Sequence, residues 1–112
     1  MRFATLTTSV FLAVVGVCAL PHRDDRLLYI IPVGKSMDQF TTDFTETCRT
    51  WYPAIHGDSY TFLNAIVQPG DWQGKNADTE AKIACAWIDP SGNIFTYTED
   101  VAAALGAVPA PA

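Results

Sequence analysis

"SMDQFTTDFTETCRTWYP" (Ser36 to Pro53) is the stretch whose reading decides the fold. Ser36 followed three residues later by Gln39 is a capping box, in which each side chain satisfies an orphan backbone N–H of the first turn. At 100° per residue, Met37, Phe40, Phe44, Cys48, Trp51 and Tyr52 share one sector, while Asp38, Thr42, Glu46 and Arg49 lie outside it. Asp38 near the start and Arg49 near the end suit the helix dipole. Pro53 disfavours helical dihedrals at Tyr52 and sets the stop. The spacing predicts one amphipathic helix with Cys48 on its buried stripe.

On either side the chain reads as strands. "LLYIIPV" (Leu27 to Val33) is a continuous apolar run, expected to be a strand buried on both faces that ends near Pro32. "YTFLNAIV" (Tyr60 to Val67) reads as a second strand. "AKIACAWI" (Ala81 to Ile88) places Ile83, Cys85 and Trp87 on one face, and "DPSGN" supplies turn residues before "IFTYT" (Ile94 to Thr98), giving a hairpin. Asp100 is expected to cap a short helix through Leu105 that Gly106 ends. The order β-α-β-β-β-α predicts an α+β fold: an antiparallel-dominated sheet of about four strands with one long helix packed on one face. A single domain over 27–106 is expected, with 107–112 a disordered or extended tail.

The chain's start has the pattern of a secretory leader. Arg2 forms its charged end, Val10 to Val17 its apolar core, and cleavage is expected after Ala19. That core is too short to span a bilayer, which needs about 20 apolar residues. Residues 20–26 read as a flexible tail or a pro-segment trimmed near Arg26. Losing the leader leaves six basic against twelve acidic residues, a net charge of −6. Nucleic acid and anionic membrane surfaces are therefore disfavoured as partners, because both bind through Lys and Arg. An unknown protein or glycan partner is expected, with the chain itself a monomer and no cofactor.

With Cys18 in the leader, Cys48 and Cys85 remain, an even count that reads as one disulfide in an exported chain. It would close a loop of about 37 residues, worth on the order of 3 to 4 kcal/mol in the chain-entropy model. Two cysteines without a CxxC or a histidine cluster fall short of a tetrahedral metal site. A core position opposes a nucleophilic role.

Two loops carry the candidate binding residues. "QPGDWQGKNAD" (Gln68 to Asp78) is long enough to be functional; Trp72, with Asp71 and Lys75 beside it, is either an exposed anchor for a partner protein or sugar ring, or folds back over the sheet's other face. "IHGDSY" sets His56 beside Asp58 and Ser59, but triads are assembled from elements remote in sequence. Asp38, Asp43 and Glu46 read as a solvated helix face, and Asp71, Asp78 and Glu80 lack the spacing of a calcium loop. No catalytic residue and no metal ligand is assigned.

The leader with its "ALP" junction, the small acidic domain and the sparse cysteines resemble the small secreted proteins of fungi, of the effector type. "TEAKIACAWIDPSGNIFTYTED" (Thr79 to Asp100) is similar to the late hairpin of the fungal guanyl-preferring ribonucleases and the ribonuclease-like effectors, in which a long helix precedes an antiparallel sheet. The resemblance implies a non-catalytic relative. Thr61 to Val67 carries no acid, Lys82 stands near the expected Arg, and Thr96 and Thr98 stand where a His is expected. The functional expectation is a secreted, non-enzymatic binding protein; the alternative is a small secreted ribonuclease-like hydrolase centred on His56.

Overall fold

The computed structural model describes residues 25–111. The expected leader, residues 1–19, and residues 20–24 of the expected tail lie outside the described residues. In chain order the elements are β1 (Leu27–Ile30), α1 (Met37–Arg49), a π-helical turn (Pro53–Gly57), β2 (Thr61–Pro69), β3 (Glu80–Ile88), β4 (Ile94–Thr96), α2 (Thr98–Leu105) and β5 (Val108–Pro109).

The capping box forms: Gln39 N–H donates to Ser36 Oγ and Ser36 N–H to Gln39 Oε1, each at 3.1 Å. Phe40, Phe44 and Cys48, four residues apart, are wholly buried. The helix ends at Arg49, earlier than Pro53 alone would set: Thr50 leaves helical dihedrals at φ −111° and ψ 25°, and the next N–H, that of Trp51, turns to the Cys48 carbonyl three residues back. Beyond Arg49 the 100° spacing no longer applies. Trp51 still packs against the core, but Tyr52, expected on the inward stripe, is 70% exposed.

β3 is the axis of a wholly antiparallel sheet. On one side it pairs with β2, from Thr61 opposite Ile88 to Pro69 opposite Ala81, with a bulge between Phe62 and Asn64. On its other side β1 takes the first half, with Leu27 opposite Ile83, and β4 the second, with Ala86 opposite Thr96. Between them, on this side of β3, Cys85 faces no strand. Its N–H donates to Thr98 Oγ1 and its carbonyl accepts from Tyr97 N–H, both at 2.9 Å. Thr98, 2% exposed, thus fills the gap in the ladder and becomes the first residue of α2. That contact displaces the expected start at Asp100; Gly106, left-handed at φ 85°, ends the helix as expected.

Two further expectations are corrected. β1 covers only Leu27–Ile30 and is not buried on both faces: Leu27 is part-exposed, and Val33 is fully so because Pro32 has already ended the ladder. The C-terminal segment is extended and paired. Val108 and Pro109 lie opposite Ile30 and Tyr29, and Ala110 N–H donates to the Leu28 carbonyl, so the sheet has five strands. Pro109 fits an edge strand, where a missing N–H costs nothing.

The core lies between the helices and one sheet face. Tyr29, Ile83, Cys85 and Trp87 from the sheet, with Ile31 just past β1, meet Phe40, Phe44 and Cys48 from α1 and Val101 and Ala102 from α2. Cys48 and Cys85 are joined, with S–S 2.11 Å and Cα–Cα 5.6 Å. Trp87 Nε1–H donates to the Cys48 carbonyl at 3.2 Å, so strand and helix are tied beside the crosslink as well as by it.

Candidate functional site

The loop between β2 and β3 is built by the same device as the one between β3 and β4. In "DWQGK" (Asp71 to Lys75) and "DPSGN" (Asp89 to Asn93), the Asp N–H donates to the carbonyl four residues on, at 2.7 and 2.9 Å, and the Gly N–H returns to the Asp carbonyl at 2.9 Å. In each, the Asp Oδ1 accepts from the N–H groups two and four residues ahead. The Lys75 amide first of all, with lesser help from the Gln73 amide and the Lys75 and Lys82 charges, lowers the Asp71 carboxyl from its ordinary value against the opposing effect of desolvation. Behind the turn, Gly70 adopts φ 94°, and a Cβ there would lie 3.2 Å from the Gly74 carbonyl carbon.

Trp72 occupies the second position of its turn, where Pro90 stands in the other. Proline at that position is explained by its fixed φ; an indole has no such local reason. Trp72 is 51% exposed. The Arg26 guanidinium lies 5.1 Å from its ring centroid and the Lys82 ammonium 5.9 Å. Lys82 Nζ donates to the carbonyls of Gly70 and Asp71 at 2.7 and 2.8 Å, fastening the base of the loop to the sheet. Trp72 thus leans over the sheet face opposite the helices, beside Lys82, while half its surface stays open.

Beside it runs a groove of about 740 Å³, lined by Trp72 and Gln73 from the loop, Arg26 and Leu28 from the start of β1, and Pro109 and Pro111 from the tail. The size falls within the range of small-ligand and peptide sites. Arg26, placed by the sequence in a flexible tail, is instead held: its Nη1 donates to Gln68 Oε1 at 2.5 Å. The sequence missed both Arg26 and the tail as groove walls, since neither patterning nor composition brings them to Trp72.

The other candidates lie elsewhere. Lys75 serves the loop through its backbone, with its side chain exposed. The His56 ring stacks on Tyr52 with centroids 4.4 Å apart. Asp58 accepts the Tyr97 hydroxyl at 2.6 Å, so it is turned to the core aromatics. Asp43 pairs with Lys35, and Glu46 with Arg49 at 2.5 Å. Glu80 Oε2 accepts from Asn76 Nδ2 at 3.3 Å. Among the described residues no three His, Cys, Asp or Glu groups converge as metal ligands, and no helix is long and apolar enough to cross a membrane. Comparison with known protein families, with characterised proteins and with solved structures returns no match.

Proposed function

We propose that this chain is a small secreted, non-enzymatic binding protein of the fungal effector type, whose recognition surface is the groove beside Trp72. The observation that carries the reading is a half-exposed indole on a turn held by its own hydrogen bonds, at the wall of a ligand-sized groove. An aromatic anchor on a preformed loop loses little entropy on binding and is the commonest kind of hot spot. Secretion rests on the leader pattern and on the even cysteine pair.

The test compares the mature chain with Trp72→Ala, first for binding to a panel of cell-wall oligosaccharides and then for partner capture from host extract. The variant is expected to keep its thermal midpoint and to bind roughly 30-fold more weakly, the loss of a typical hot spot. Equal binding by the two proteins would remove the groove from the account. The hydrolase alternative takes its imidazole from His56. RNA cleavage by the purified chain that disappears in His56→Ala would replace the binding reading.

A further inference from the structure

β2 is an outer strand: among the described residues it pairs with β3 and with no other strand. The direction of its free groups follows from Cys85. The N–H and C=O of Cys85 are engaged by Thr98 and Tyr97, on the side away from β2. Ala65, opposite Cys85, is therefore in a non-hydrogen-bonded pair with it, and its own N–H and C=O point outward from the sheet. Val67, two residues on, points the same way. Such an edge is a template for another strand, and natural proteins blunt it with charges. β2, "TFLNAIVQP", carries none over its nine residues, although the chain as a whole is net −5. The bulge at Phe62–Asn64 and Pro69 bracket residues 64–68 without blocking them.

We infer that β2 pairs antiparallel with β2 of a second copy about a two-fold axis at Ile66, in place of the monomer expected from sequence. In that register the outward groups of Ala65 meet those of Val67 of the second copy, closing hydrogen-bonded pairs on both sides of the axis. Ile66 packs against its own copy, and Asn64 stands opposite Gln68. Gln68 Oε1 already accepts from Arg26, which leaves its amide hydrogens to donate to Asn64. Moving the axis to Ala65 or Val67 would set Ile66 against Asn64 or Gln68, apolar against amide. The self-matching pattern selects a copy of the same strand as the occupant, and its lack of charge lets two acidic chains meet there.

The test is sedimentation of the mature chain from micromolar to near-millimolar concentration, with cysteine crosslinking. The wild type is expected to dimerise with rising concentration. Ile66→Cys is expected to form a covalent dimer linked through residue 66, because Cα atoms in such a pair lie about 4.5 Å apart, within disulfide reach. Asn64→Cys is expected to form none, its two copies being offset by four residues, roughly 13 Å. Ile66→Lys, setting two ammonium groups face to face, is expected to be monomeric throughout. A monomeric wild type, including one whose edge takes up a foreign extended peptide, would overturn the inference. So would a dimer that survives Ile66→Lys, or residue 64 crosslinking as readily as 66. Should Ile66→Lys fail to fold, the two cysteine variants decide alone.

Discussion

Thr98 shows how much one hydroxyl can organise. It is the buried polar side chain that satisfies Cys85 N–H in the gap between β1 and β4. Thr98→Val keeps the shape and orphans that amide, so a loss of about 1 to 3 kcal/mol is expected in urea unfolding, with Thr98→Ser recovering most of it. Tyr97 makes a second such contact. Burial first, then its hydrogen bond to Asp58, push its hydroxyl well above the ordinary tyrosine range; Tyr29 is raised too, by burial and then by Glu99 and Asp100. In the unfolded chain both ionise near pH 10. Above that pH the unfolded state binds fewer protons than the native one, so stability falls as pH rises. Thermal melts are expected to hold level to about pH 10 and drop beyond it, and Tyr97→Phe to be less stable at neutral pH but to fall less steeply.

Among the elements, α1 was legible because its signals are local: a capping box, a period of 3.6 and a cysteine in phase with Phe40 and Phe44. The start of α2 was not, since the residue that fixes it answers to Cys85, thirteen positions back in sequence. The pairing of Val108 and Pro109 was hidden for a similar reason. "AVPAPA" has no strand pattern and becomes a strand only because β1 offers it an edge. The hairpin loops were half legible. Gly and Pro marked them, while the repeated Asp-x-x-Gly arrangement, which singles out Trp72 as the residue without a local role, stands in the sequence and tells more than composition does. Gly70 bears on the same loop. Gly70→Ala forces a side chain into a left-handed conformation against the Gly74 backbone. It is expected to lower stability by more than about 1 kcal/mol and to weaken binding at Trp72, read by calorimetry and by the same ligand titration.

The molecule is a two-layer sandwich with helices on one sheet face, and its sides divide the labour. The helix side holds the buried core and the crosslink; the other side carries Trp72, Arg26 and the groove. Removing the crosslink by Cys48→Ala with Cys85→Ala is expected to cost about 3 to 4 kcal/mol. At roughly 4 to 8 °C per kcal/mol for a domain of this size, that is a fall in melting temperature of more than 10 °C. What sequence could not supply was the two groove walls from Arg26 and the tail, because the two ends of the domain meet there only after folding. Tryptic mapping, without reduction, of protein recovered from culture medium tests the proposed export and the crosslink together. The mature chain is expected to begin at Leu20, with the peptide spanning 36–49 joined through Cys48 to the peptide that starts at Ile83 and contains Cys85. Recovery of those two peptides separately, each with a free thiol, would contradict it.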